Sequence, residues 1–426
     1  MGGLPRRATI IESLRQDTAS PLFVVDAGNF AWKSGRITGE ALPQQRRKTE
    51  AILDAFARDP VDALGVGTGD LVMGVDWLKD AAQQRSLPMT LANLTCDGEQ
   101  PFPGHQRVER DGVSVGFVGV LSPSRKVEGC TVTDSAEALR REAAAMGPVD
   151  LLVAFGHGSD DEDRALAEAV TELDLIVNGH ARLTRASPEL LPNHTAQLGA
   201  GSRGKKLGVA EIVMVRGASG FSSETALTDL ADRRTTYARR LESAERNLET
   251  DDPAAKRRAE RQVTFFTEEM AELDRQAATL EAAGSAPRNR ISVELRDLDR
   301  RVDDHPEVLA MLEVAKVDIA ALEAAVPVSP LVETPYLGSG ACSGCHAEIY
   351  QQWQQTGHAR AYATLQVENR ELDRDCYSCH VTGAFDAEGP QQPGQVSPKL
   401  HGVGCESCHG AGRDHARAPT QGGMVR

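Results

Sequence analysis

Three copies of Cys-x-x-Cys-His stand near the end of this 426-residue chain: Cys342/Cys345/His346, Cys376/Cys379/His380 and Cys405/Cys408/His409. Two thiols at that spacing, with an imidazole directly after the second, are what covalent c-type haem attachment requires. The sulfurs reach the two vinyl groups of one porphyrin, and the histidine is left beneath the iron. The motifs therefore imply three covalent haem c groups, with His346, His380 and His409 as proximal iron ligands. Structural zinc accounts for the pattern less well: a tetrahedral site closes with two thiol pairs, a third pair is left over, and zinc gives no reason for a histidine after every second cysteine. A disulfide framework is weaker again, because a Cys-x-x-Cys bridge closes a short, strained loop.

Composition sets this tail apart. Six of the eight cysteines and six of the eleven histidines follow Gly340, and only Cys96 and Cys130 precede it. The formal charge of −15 argues against nucleic acid as a partner, since phosphate binding needs concentrated positive charge. No apolar run of about 18 residues offers a transmembrane segment. The start, Met1 to Arg7, also lacks the apolar stretch of a secretory leader. Haem attachment of this kind takes place outside the bacterial cytoplasm, so a periplasmic or otherwise exported location is expected, with the true start upstream. Export would allow Cys96 and Cys130 to pair.

The elements that must carry these groups follow from periodicity. Apolar runs of strand length at 22–25, 61–66, 89–94, 113–120, 151–155, 175–177 and 209–215 alternate with helical stretches, the pattern of an α/β domain. Several runs end in polar or glycine-rich loops, where active sites of such domains form. Apolar spacing of three and four over 228–283 predicts two helices packed as an antiparallel, coiled-coil-like hairpin, with Pro253 where the second begins. A further helix is expected over 306–325, with Asp303 or Asp304 as its cap. The resulting division is an α/β domain at 1–217, a helical hairpin and connector at 218–325, a linker at 326–340 and the haem-bearing tail at 341–426.

The strand-end loops carry a resemblance. Gly2-Gly3-Leu4-Pro5-Arg6, Val25-Asp26-Ala27-Gly28-Asn29-Phe30, Gly67-Thr68-Gly69-Asp70, Phe155-Gly156-His157 and Asn178-Gly179-His180-Ala181-Arg182 are similar, in order, to the metallophosphoesterase domain of bacterial 5′-nucleotidases. The resemblance implies an α/β sandwich holding two metal ions that activate water against a phosphate. It also implies damage to that centre. The family's bridging Asp falls at Asn29, its metal-binding Asn at Thr68 and the neighbouring His at Gly69. His157 and His180 match ligands, but Arg182 puts a positive charge where a cation would sit. The family's Asp-x-His pair would precede residue 1, and an upstream segment would supply it together with a leader and a first strand. The expectation is a domain without two-metal hydrolysis, with His157 and His180 as a vestigial site for a single divalent metal. His105, His194 and His305 have no motif around them and read as structural.

The tail resembles the tetrahaem cytochrome c-554 type family through Cys342 to Tyr350, Trp353, Gly357 to Ala361, Cys376 to Gly383, Val403 to Gly410 and His415. That resemblance implies a small α and irregular domain packed around haem, so the whole chain reads as multidomain α/β plus α. His358 and His415 agree with the family's distal ligands, and His401 is the third candidate. If His401 does not ligate, one haem is five-coordinate and open to a small molecule. The family's fourth motif is missing, which fits either a three-haem variant or a chain cut short.

The expected function is electron transfer by an exported multihaem cytochrome fused to an inactive 5′-nucleotidase-like domain, with a redox protein or a small electron donor or acceptor as partner. The alternatives are an active metal-dependent nucleotidase or phosphoesterase with an accessory cytochrome, and an oxidoreductase acting on a small nitrogen or sulfur compound. No catalytic residue is assigned, and the oligomeric state is not legible.

Overall fold

The computed structural model describes residues 3–32, 37, 39–179, 184, 187–223, 226–250, 252–282, 287–328 and 333–417. The chain forms two compact units, one built from 2–33 and 56–305, the other from 34–55 and 306–426.

The larger unit is organised by strands buried on both faces. Leu151–Gly156 is buried throughout and pairs in parallel with Val113–Gly119 on one side and Leu175–Asn178 on the other. Successive side chains of a strand point to opposite faces, so such a strand must serve two cores. Val115, Phe117, Leu151, Val153 and Phe155 join Ala27 and Ala63 in one core. Val118, Leu152 and Ala154 join Leu139 and Leu166, from the helices Ser135–Met146 and Asp160–Ala169, in the other. Ala196–Leu198, Glu189–Leu190 and His105–Arg110 complete a six-stranded sheet, and Val25–Asp26, Ala63–Gly65 and Met89–Thr90 form a parallel three-stranded sheet. Parallel pairing brings the carboxyl ends of neighbouring strands to one edge, which is how loops far apart in sequence come to share a site.

The helical hairpin forms as Ala226–Arg246 and Pro253–Ala282, the second helix starting at Pro253. Tyr237 faces Phe266 with ring centroids 5.7 Å apart, and Arg234 Nε donates to Asp274 Oδ1 at 2.6 Å. Between the hairpin and the next helix lies a strand absent from the sequence expectation. Asn289–Asp297 runs antiparallel to Lys206–Val213 and parallel to Phe221–Ser222. Ile291 and Val293 face the core from this strand, while Arg290, Ser292, Glu294 and Arg296 alternate with them. An amino-terminal helix, Leu4–Asp17, was also not expected; Pro5 sits in its first turn, where the missing N–H costs nothing.

In the smaller unit, Leu42 to Ala55 of the helix Leu42–Arg58 and the helix Pro306–Ala324 accompany the tail. The latter begins at Pro306, directly after His305, so neither expected aspartate stands next to it. Within the larger unit Asp304 instead pairs with Arg6, Nε to Oδ1 3.1 Å. The expected linker is packed from Thr334 onward: Tyr336 lies in the tail's core, and the Leu337 and Gly338 N–H groups donate to Glu406 at 2.9 and 2.7 Å. Residues 329–332 of that stretch lie outside the described residues.

Candidate functional site

In the larger unit the loops after three parallel strands converge. Gly28 and Asn29 adopt φ of 95° and 61°, a left-handed conformation that glycine takes freely and asparagine tolerates. A side chain on Gly28 would lie 2.5 Å from the Gly65 carbonyl oxygen, so the two loops can touch only through glycine. Asp70 then holds them together. Its buried carboxylate accepts N–H groups from Asn29 (2.7 Å), Ala31 (2.9 Å) and Gly67 (2.8 Å), and burial pushes its pKa up to about 6 against those three bonds. Nothing in the sequence around Asp70 marks this role, because its three partners are backbone amides.

His157 follows the strand Leu151–Gly156. Its Nε2 lies 2.7 Å from the Ala27 carbonyl, so Nε2 carries the proton and donates. Nδ1 is then the acceptor for the Asn29 amide at 2.9 Å, while Asn29 Oδ1 accepts the Gly69 N–H at 2.8 Å. Those contacts fix both the amide orientation and the imidazole tautomer. A Cβ on residue 179 would fall 2.4 Å from the His157 ring, which accounts for glycine there. Burial pushes the Asp26 carboxyl up, while the Arg7 guanidinium opposes that shift. These residues do not fit a two-metal centre: the His157 nitrogens and the Asn29 amide oxygen are engaged, and Asp70 is committed to three amides. Among the described residues no group of three His, Cys, Asp or Glu could hold a metal ion. His180 and Arg182 lie outside the described residues, so the vestigial pairing of His157 with His180 is not described by the structure.

Behind His157, Ser159 and Glu162 close a capping box at the start of Asp160–Ala169. Asp163 accepts from Asn178 and, at 2.6 Å, from Gln197, and burial pushes its pKa up to about 6. A carboxyl raised in the folded state binds its proton more tightly folded than unfolded. Its stabilising contribution is therefore full below about pH 4 and is lost as pH rises through about 6. Urea unfolding of Asp163→Asn is expected to lose less stability than the parent between those pH values; parallel curves would contradict it.

In the tail, every motif forms a helical turn. Arg374–His380 and Cys405–His409 are helices, and in the first motif the His346 N–H donates to the Cys342 carbonyl at 2.9 Å, ahead of the helix Ala347–Gln354. Residues three and four apart share one helical face, so each turn presents two thiols and one imidazole together. Cys342, Cys376 and Cys405 are half-buried, but Cys345, Cys379 and Cys408 are exposed, and all six thiols are free of disulfides. Among the described residues the tail's own apolar core holds six buried side chains, including Tyr336, Tyr362 and Tyr377, and Cys376 packs against it.

Cys342 hydrogen-bonds Cys405; burial first, and that neighbour second, push its thiol up to about 11. His380 Nδ1 donates to the Ala361 carbonyl at 2.6 Å, which fixes the tautomer and leaves Nε2 unprotonated. The His346 and His415 rings lie nearly parallel, 19° apart in plane, with centroids separated by 6.2 Å.

His401 is placed differently. Its ring lies flat on Tyr362, centroids 3.6 Å apart, and burial lowers its pKa. The His358 backbone carbonyl accepts the Val403 N–H at 3.0 Å, tying the segment carrying the first motif to that of the third. Sequence reasoning missed Glu406, inside the third motif between Cys405 and Cys408. It is buried and accepts N–H groups from Leu337, Gly338 and Gly412. Outside the six-residue core, Ile349 (62%), Val367 (81%) and Phe385 (41%) stay exposed. So small a core supports a domain poorly without further apolar mass. The residues present fit covalent haem.

Comparison with known proteins gives separate matches to two kinds of protein. Residues 341–410 match the family model described as cytochrome c554 and c-prime. Cytochrome c-554 of Nitrosomonas europaea is 36% identical over 87 residues, covering 17% of this chain and 37% of that protein. The metallophosphoesterase YunD of Bacillus subtilis is 26% identical over 186 residues, covering 42% of this chain and 40% of that protein. The chain thus spans about two fifths of the length of these curated relatives. Among solved structures, the Thermus thermophilus sulfate thiohydrolase SoxB superposes with a TM-score of 0.50 at 16% identity, over 78% of this chain and 49% of that one, a likeness of fold alone. The amino-terminal half matches the metallophosphoesterase/5′-nucleotidase family, and the carboxyl-terminal segment matches the cytochrome c554 family.

Proposed function

We propose that the chain is an exported multihaem cytochrome that passes electrons singly, joined to a phosphoesterase-like domain without hydrolase activity. The observation that carries this is the repeated helical turn presenting two thiols and an imidazole, once each at Cys342, Cys376 and Cys405. Haem, when bound, supplies a one-electron iron couple. The chain would supply the rest: thiols for attachment, His346, His380 and His409 as proximal ligands, and His415, whose ring centre lies 6.2 Å from that of His346, as a distal ligand. His380 is oriented by Ala361.

Export is supported by the disulfide between Cys96 and Cys130, which joins the antiparallel strands Leu94–Cys96 and Cys130–Val132; such bonds persist in oxidising compartments. Among the described residues no helix is long and apolar enough to cross a membrane. A redox protein or a small electron donor or acceptor is the partner. The loss of hydrolysis rests on the Asn29–His157 hydrogen bond, which occupies the positions where two cations would need a bridging carboxylate and a free imidazole. A second reading, reduction of a small nitrogen or sulfur compound at an open iron, draws on His401, whose stacking against Tyr362 commits its ring elsewhere. The test is acid–acetone extraction of protein matured in an exporting host: colour stays with the polypeptide if haem is thioether-linked.

A further inference from the structure

The second haem motif is surrounded by charge from parts of the chain far away in sequence. Lys48, on the helix Leu42–Arg58, directs its ammonium at Asp373 and, at 2.8 Å, at Asp375, the residue immediately before Cys376. The Lys48 and Asp373 side chains are only 6% and 3% exposed, so solvent screens the pair little. Arg370 also pairs with Asp373, while Arg374 is taken up by Glu323 (2.7 Å) and Glu40 (3.3 Å). From the same helix, Gln44 accepts the Arg374 N–H at 3.2 Å and donates to the Leu372 carbonyl at 2.8 Å, fixing the start of the turn that carries the thiols.

The field of this cluster reaches the attachment sulfur. Beyond desolvation, the groups acting on the Cys376 thiol are Asp373, Arg370, Lys48 and Asp375. At Cys342 the acting neighbours are Cys405 and Glu406. A haem gains positive charge on oxidation, so carboxylates beside it favour the ferric form and a cation beside it favours the ferrous form.

We propose that Lys48 sets the reduction potential of the haem attached at Cys376 and Cys379, by offsetting the two carboxylates that flank that attachment. Lys48 is thus a positioning and tuning residue of the cytochrome, contributed from more than 300 residues upstream of the motif it serves. The assignment rests on haem being bound there, as the proposed function has it.

The test is spectroelectrochemical titration of the full haem-loaded chain, after a haem count on each variant. Lys48→Met shifts one potential downward and Asp375→Asn shifts the same one upward. The double variant returns toward the parent, and Lys48→Arg stays near it. Shifts of the same sign, or unchanged potentials in both single variants at full haem content, overturn the proposal. So does loss of the Cys376 haem in Lys48→Met combined with an unmoved potential in Asp375→Asn. A parent chain without haem at Cys376 and Cys379 fails the cytochrome reading itself, and the haem count reveals that separately.

Discussion

Substituting His415 by Ala converts one low-spin haem into a high-spin one while the number of covalently bound haems stays the same. An iron with an imidazole on each face is low-spin, and removing one leaves the remaining field too weak to keep it so. The expectation rests on the agreement of His415 with the distal-ligand position of the cytochrome c-554 type pattern, and its ring centre lies 6.2 Å from that of His346. Attachment is unaffected because the thiols of Cys342 and Cys345 remain. Electron paramagnetic resonance and the charge-transfer bands of the oxidised protein read the change directly. His401→Ala is expected to leave the low-spin count unaltered, because that ring packs on Tyr362. The parent should then already contain an iron whose spectrum responds to nitrite or hydroxylamine. A spin change in His401→Ala and none in His415→Ala would reverse the ligand assignment.

Given divalent manganese or zinc, the full chain releases no phosphate from a 5′-nucleotide or a chromogenic ester above the rate of the metal alone. Enzymes accelerate such reactions on the order of 10⁶-fold or more, so even a badly impaired centre would be detectable. The chemical ground is the donor set. Asn29 provides a neutral amide that already accepts from Gly69, His157 is bound through both ring nitrogens, and Asp70 spends its carboxylate on three backbone amides. Asn29→Asp alone is not expected to restore turnover, since it leaves Thr68 and Gly69 in place of the neighbouring donors. Metal-dependent turnover abolished by His157→Ala would contradict this account.

What the residues disclosed depended on how local the signal was. Cys-x-x-Cys-His is complete within five positions, and one helical turn is enough to assemble it. The buried strand Leu151–Gly156 and the helix restart at Pro253 were legible because an apolar run and a proline each act on their own neighbourhood. Asn289–Asp297 carries a period-two alternation of Ile291, Val293 and Leu295, masked by the polar Arg290, Ser292, Glu294 and Arg296 that fill its other face. Asp70, Glu406 and Lys48 belong to another class. Each is defined by partners brought near by folding, Lys48 by residues 325 and 327 positions away, and accepting backbone amides leaves no mark on neighbouring sequence. Residues 34–55 group with the tail in one compact unit through contacts that composition does not display. The pairing of Cys96 with Cys130, left open by the sequence, follows from the antiparallel register that sets them opposite each other.

The central claim is that porphyrin is bound covalently at each of the three Cys-x-x-Cys-His turns. A pyridine haemochrome determination, set against protein mass on chain exported by a host able to mature c-type cytochromes, measures it most directly. The expected result is three haems per polypeptide, one for each motif. Colourless protein, or protein carrying zinc on those thiols, would contradict it.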